Sequence, residues 1–231
     1  MVILGLEKMS LVDFDGLVAA TIFTGGCNFR CDFCHNSPLV LSHDKLPILD
    51  ENEVLSYLQK RRMVLDGVCV SGGEPTLQKD LPDFLAKLKN LGYKVKLDTN
   101  GTAPDLIKNL YAEKLVDYFA MDIKNDRENY AKIIGFNSFD TKNVEKSVEF
   151  LLSLNGCYEF RTTLINEFHN EENMLNIGKW LKGANKYFLQ KFKSSENCIN
   201  SDLSPVSDLD AKKFLQILQN YISSVNLRGY D

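Results

Sequence analysis

The chain has 231 residues, 44% apolar and 25% charged, with a net charge of −4 at pH 7. This length suits one α/β domain able to bury a core without disulfides, and weak acidity with interspersed lysines argues against a basic nucleic-acid-binding face. No cationic leader runs into an apolar core at the start and no apolar run would cross a bilayer, so the reading is cytoplasmic, with neither nucleic acid nor membrane as partner.

Short β-rich apolar runs alternate with longer stretches of helical period. In chain order, strands are expected at 17–23, 67–72, 93–99, 117–124, 158–165 and 186–192. Helices are expected between and after them, near 51–62, 80–91, 103–114, 140–154, 171–183 and 208–223. Asp80 and Asp208 read as N-caps and Gly92 as a C-terminal stop. Leu81, Phe84, Leu85, Leu88 and Leu91 recur at helical spacing and give one apolar stripe for packing on a sheet. Alternating β and α predicts parallel strands joined by right-handed crossovers. The expected fold is therefore α/β, a partial, open-sided (β/α)6 barrel with outer helices; a flat doubly wound sheet is the alternative. One domain spans 1–231, with 1–16 as an N-terminal extension packing on the barrel.

The polar and glycine-rich runs all follow strands. TGGCNFRCDFCHN follows the first, SGGEP the second, DTNG the third and DIKND the fourth. In a β/α barrel the loops after the strands gather at one rim, where ligands bind.

The cysteines carry the sharpest signal. Cys27, Cys31 and Cys34 fall within eight residues, whereas Cys69, Cys157 and Cys198 are scattered. In a reducing compartment such residues are metal ligands, redox groups or core residues rather than disulfides. Spacing of i, i+4, i+7 also fits one face of a core helix. Gly25 and Gly26 before the cluster, Pro38 after it, and Asn28, Arg30 and Asp32 within it favour a loop. Structural zinc is a further reading, but it takes four ligands, and the fourth would be His35, poorly placed beside Cys34, or a remote cysteine. Three thiolates on a 4Fe–4S cubane leave one iron without a protein ligand, a vacancy that substrate chemistry can use.

Cys27-x3-Cys31-Asp32-Phe33-Cys34 resembles the signature of the radical S-adenosylmethionine (SAM) superfamily. The resemblance implies a 4Fe–4S cluster on Cys27, Cys31 and Cys34, with SAM chelating the open iron. Reductive cleavage of SAM then yields a 5′-deoxyadenosyl radical that abstracts hydrogen from an inert C–H bond. Phe33 would pack near the adenine or shield the cluster from water. Gly72-Gly73-Glu74-Pro75, on its own an ordinary Gly-Gly turn, resembles the segment that holds the methionyl amino group. In the glycyl-radical-enzyme activases of this family, residues equivalent to Asp98, Asp122 and Lys124 contact the ribose and carboxylate of SAM. The two aspartates there also help bind a monovalent cation. The competing reading of each is a solvated strand end or an ion pair. Arg161 resembles an activase arginine that reaches the cofactor's anionic group; a salt bridge to another strand is the alternative. His35 and Asn36 complete a Cys-His-Asn string similar to that subgroup, with no task assigned. His43 and His169 read as surface or loop histidines, Cys69 and Cys157 as packing residues, and Cys198 as an exposed thiol.

Between Cys34 and Gly72 the only cysteine is Cys69, so the cysteine-rich ferredoxin-like insert of larger activases is missing. The chain thus resembles the compact activases of anaerobic ribonucleoside-triphosphate reductase or of pyruvate formate-lyase. Asp15 and Gly25 depart from the first group, which usually has proline and glutamine there. The resemblance implies a glycyl radical enzyme as partner, a flavodoxin or ferredoxin as electron donor, and anaerobic use. A small-molecule radical enzyme such as 7-carboxy-7-deazaguanine synthase is the runner-up.

Overall fold

Eight strands form in the computed structural model, which describes residues 1–230. They are β1 (Ile3–Ser10), β2 (Ala19–Thr24), β3 (Gly67–Gly72), β4 (Lys94–Thr99), β5 (Tyr118–Asp122), β6 (Tyr158–Leu164), β7 (Tyr187–Lys191) and β8 (Val225–Arg228). Their order in the sheet is their order in the chain. β1 runs antiparallel to β2, while β2–β3, β3–β4, β6–β7 and β7–β8 pair in parallel. Sequential parallel pairing is what successive β-α-β crossovers produce. The helices are α1 (Ser37–Leu41), α2 (Glu51–Arg61), α3 (Leu81–Asn90), α4 (Pro104–Ala112), α5 (Tyr130–Ile133), α6 (Lys142–Leu152), α7 (Glu171–Trp180) and α8 (Asp208–Leu218). No helix among the described residues is long and apolar enough to cross a membrane.

The six expected strands and six expected helices are present, flanked by two strands that the pattern did not mark. β1 carries a weak burial rhythm, and β8 is four residues long. α8 stops at Leu218 rather than 223, because Asn220 turns its amide onto the carbonyls of Gln216 and Ile217 and closes the last turn. Asp208 is the first helical residue, not the cap. Ser207 is the cap and accepts the Asp210 N–H. Asp80 holds the N-cap position of α3 without a side-chain cap bond, and Gly92 ends that segment at φ +85°. The α3 stripe buries Leu81, Phe84, Leu85 and Leu88 almost completely. Each such side chain contributes roughly 1.5–3 kcal/mol.

The residues group into two compact units. The first holds Met1–Asn28, Pro38–Thr99 and Ala103–Ala120; the second holds Phe29–Ser37, Asn100–Thr102 and the chain from Met121 onward. In the first, parallel register sets Thr21 beside Cys69 and Cys69 beside Lys96. Side chains alternate along strands, so Thr21, Cys69, Ser71, Lys96 and Asp98 share one face. Ile22, Val68, Val70, Val95 and Leu97 take the other, all fully buried. In the second unit, buried Tyr130, Tyr158, Phe160 and Tyr187 dominate the interior.

Candidate functional site

In the first unit β2 runs out at Thr24 into Gly25, Gly26, Cys27 and Asn28, and β3 ends at Gly72. The two strand ends are bonded backbone to backbone. The Gly73 N–H donates to the Thr24 carbonyl at 3.0 Å, and the Glu74 N–H donates to the Gly26 carbonyl at 2.8 Å. The Gln78 amide donates to the Gly25 carbonyl at 2.8 Å. Glycine is required for this approach: a Cβ on Gly73 would stand 2.0 Å from the Gly26 oxygen. Gly72 adds a φ of +117° that side chains rarely adopt. The Gly-Gly pair thus fixes the start of the cysteine loop. At Gly25, where glutamine was expected, a side chain would meet Leu4 and His43, which fill that space.

Glu74 is 1% exposed. Its Oε1 accepts from the Thr76 N–H and hydroxyl at 3.1 and 2.6 Å and from the Thr99 hydroxyl at 2.8 Å. This oxygen caps the short turn Pro75–Leu77 and ties the end of β3 to the end of β4. Asp98 accepts from the Ser71 hydroxyl at 3.0 Å and pairs with Lys96 at 3.3 Å.

In the second unit the cysteine-bearing segment 29–36 contains no helix, which removes the core-helix reading. Cys31 is buried and Cys34 half-buried, and neither is in a disulfide. Three clamps hold their backbone. The Arg30 N–H donates to the Ile134 carbonyl at 3.0 Å, and the Asn200 N–H to the Asp32 carbonyl at 2.8 Å. Gly135, at φ +80°, lies so close to Arg30 that a Cβ would come within 2.5 Å of its oxygen. Sequence reading missed Gly135. Its signal was an isolated glycine after the apolar pair Ile133-Ile134.

Phe33 is buried, with the Lys124 ammonium 5.7 Å from its ring centre. Lys124 pairs with Asp122 at 2.9 Å, and Arg161 approaches the other oxygen of Asp122 at 3.0 Å. Burial alone would raise the Asp122 pKa, but the two cations outweigh it and hold the carboxyl at about 2. Burial likewise opposes the charge on Lys124, yet Asp122 keeps it firmly protonated. Burial pushes the Cys34 thiol up, while the Asn36 N–H and Lys124 pull it down. Thiols protonated at rest release their protons on binding metal, and a cation at hand offsets the negative charge of the thiolates formed. In this unit Cys31, Cys34 and Lys124 have the chemistry of an anionic metal–thiolate centre, while among the described residues no three His, Cys, Asp or Glu side chains are grouped as a metal site.

His169 is buried, not on the surface as the sequence suggested. The Ile165 N–H donates to its Nδ1 at 3.0 Å, so its Nε2–H donates to the Lys124 carbonyl at 2.9 Å. It links the end of β6 to the backbone of Lys124. Beside it a cavity of 290 Å³ includes Asp126, whose oxygens accept from Asn129, Asn173 and Asn176. Burial lowers the pKa of His169. A group depressed in this way contributes stability above its unfolded pKa of about 6.5, and that contribution is lost as pH falls through the folded value. We expect His169→Gln to be clearly less stable than the wild type at pH 7.5 and the difference to shrink toward pH 5. Urea unfolding at both pH values measures it; a gap that widens on acidification contradicts the assignment.

Of the remaining residues, Cys69 is fully buried in β3 and Cys157 half-buried in a loop. Cys198 is half-buried rather than exposed, its Sγ 3.7 Å from His35 Nδ1. His43 is exposed, as expected. Gly72, Gly73 and Glu74 thus hold the approach to Cys27 in the first unit, where Asp98 lies beside Ser71 and Lys96. Phe33, Asp122, Lys124 and Arg161 cluster in the second around Cys31 and Cys34.

Residues 21–180 match the Radical SAM superfamily. A protein of Methanocaldococcus jannaschii, named as a presumed glycyl-radical enzyme activating enzyme, is 30% identical over 97% of this chain and 94% of its own length. A presumed GTP 3',8-cyclase of Methanococcus aeolicus is 33% identical over 54% of this chain and 44% of its own. Among solved structures, SuiB of Streptococcus suis superposes with a TM-score of 0.71 at 12% identity, covering 90% of this chain and 48% of that one. The chain thus spans about half the length of SuiB, and that likeness shows the fold.

Proposed function

The chain belongs to the radical SAM superfamily, and from that membership we propose a glycyl-radical-enzyme activase, which cleaves SAM reductively and takes a hydrogen from a glycine of a partner enzyme. The family implies a 4Fe–4S cluster and SAM as cofactors. One observation carries the activase reading: the 30% identity to a relative so named extends over 97% of the chain, well beyond the cysteine motif.

On this reading Cys27, Cys31 and Cys34 hold the cluster. The backbone around Gly72 and Gly73 receives the methionyl ammonium, and Glu74 braces that edge from behind. Asp98 accepts from the ribose hydroxyls, Lys124 and Arg161 face the methionyl carboxylate, and Phe33 covers the adenine side. When bound, cluster and SAM supply the 5′-deoxyadenosyl radical that abstracts the glycine hydrogen. The buried side chains of Cys31 and Phe33 help keep water from the reacting centre. The monovalent cation implied beside Asp98 and Asp122 would meet two carboxylates that each already face a protein cation.

The partner we propose is anaerobic ribonucleoside-triphosphate reductase, reduced flavodoxin or ferredoxin is the electron source, and the setting is an oxygen-free cytoplasm. The test is anaerobic incubation of reduced enzyme with SAM and purified candidate partners, read by electron paramagnetic resonance. A glycyl doublet on the ribonucleotide reductase supports the whole reading. A doublet on pyruvate formate-lyase alone changes the partner. The GTP cyclase match over half the chain gives a second reading, a small-molecule radical enzyme. SAM cleavage with no protein radical on any candidate, and turnover of a nucleotide or pterin, would move the assignment there.

A further inference from the structure

On the strand face that presents Ser71 and Asp98, β4 also carries Lys96, whose side chain is 4% exposed. An ammonium group so deeply placed requires partners, since an uncompensated buried charge is costly. It has two. The Lys96 Nζ donates to the Asp13 carbonyl at 2.6 Å and stands 3.3 Å from Asp98 Oδ1. Both are held in place: the Thr21 hydroxyl donates to the Asp13 carboxylate at 2.7 Å, and the Ser71 hydroxyl to Asp98 Oδ2 at 3.0 Å. A carbonyl and a carboxylate oxygen are the donors that a hard alkali cation would select. Here the carbonyl receives an N–H of Lys96 instead, and the same ammonium stands as an ion-pair partner 3.3 Å from the carboxylate oxygen. All of these residues lie in the first unit. In the second, Asp122 is matched by Lys124 and Arg161.

We propose that the Lys96 ammonium is the built-in countercharge of Asp98 and takes the place of the bound monovalent cation implied by the resemblance. This deepens the proposed function and rests on Asp98 contacting SAM. Lys96 is then a positioning residue: it fixes one carboxylate oxygen and sets the charge of the strand end before the cofactor arrives. A tethered cation also costs no separate binding event, so cofactor affinity is independent of potassium.

The experiment compares potassium chloride with tetramethylammonium chloride, whose cation is too large to coordinate, at about 100 mM to keep screening equal. Two quantities are read for the wild type, Lys96→Ala and Lys96→Met: SAM affinity of the cluster-loaded enzyme, and the melting temperature of the cluster-free protein. We expect wild-type affinity to change less than about twofold between the salts, and Lys96→Ala to bind at least about fivefold more weakly in tetramethylammonium and to recover in potassium, the low end of site-to-site coupling. Cluster-free Lys96→Ala melts higher in potassium, because a cation that binds only the folded chain stabilises it. Lys96→Met fills the space without charge and shows no recovery. The proposal is overturned if the wild type itself needs potassium to bind SAM, or if folded Lys96→Ala ignores potassium in both readouts. A wild type that binds SAM in neither salt would sink the cofactor reading, while the melting data still decide whether Lys96 occupies a cation position.

Discussion

Replacing Cys34 by alanine should leave a folded protein that neither holds a 4Fe–4S cluster nor cleaves SAM. Cys34 is half-buried, and its segment is clamped by backbone bonds from Arg30 to Ile134 and from Asn200 to Asp32, not by the thiol. The stability change should therefore stay within about 1 kcal/mol. The chemical loss is of another order. Three thiolates act as a unit, and losing one member of a catalytic unit costs about as much as losing all. We expect 5′-deoxyadenosine formation to fall at least about a thousandfold, with iron and sulfide content falling in parallel. Cys27→Ala and Cys31→Ala should behave alike, with Cys31→Ala somewhat less stable because that side chain is 7% exposed. Cys69→Ala is the control: it lies in β3, on the face shared with Lys96, and should keep its iron. Anaerobically purified wild type carrying zinc and no iron, or a Cys34→Ala enzyme cleaving SAM at the wild-type rate, would contradict the assignment.

Much of this was legible because the signals are local. Six strands announce themselves as short apolar runs, and the cysteine loop is marked by its own glycines and polar residues. What escaped depends on partners far along the chain. Lys96 in KVKLDT looks like the solvent face of an alternating strand; the Asp13 carbonyl, 83 residues earlier, joins Asp98 in partnering its buried ammonium. His169 sits in a polar run and reads as surface, yet its ring is bonded to Lys124, 45 residues away. β1 was hidden for another reason. An edge strand buries little, so its hydrophobic period is weak. Glu74 shows the opposite limit. Its motif was recognised, but the sequence could not reveal that Oε1 is occupied by Thr76 and Thr99.

The Gly-Gly pair then makes a prediction that separates steric need from conformational freedom. Gly73→Ala introduces a methyl 2.0 Å from the Gly26 oxygen and 2.6 Å from its carbonyl carbon, both backbone atoms that cannot swing aside. The Glu74-to-Gly26 hydrogen bond at 2.8 Å holds the same two segments together, so relief by separation breaks it. Gly156→Ala is the reference, because Gly156 has φ +82° and nothing within 4 Å of a new Cβ. It should cost only the left-handed strain, about 1–2 kcal/mol. Gly73→Ala should cost more, about 2–4 kcal/mol, through overpacking and a lost backbone bond. Gly72→Ala, with both penalties, should be the worst of the three. Because Gly26 immediately precedes Cys27, the first two of these losses should differ in kind as well as size. Gly156→Ala keeps full iron occupancy and SAM affinity, whereas Gly73→Ala displaces the start of the cysteine loop and lowers both. Equal melting temperatures and equal iron content for Gly73→Ala and Gly156→Ala would mean that close approach to Gly26 is not why glycine stands at position 73.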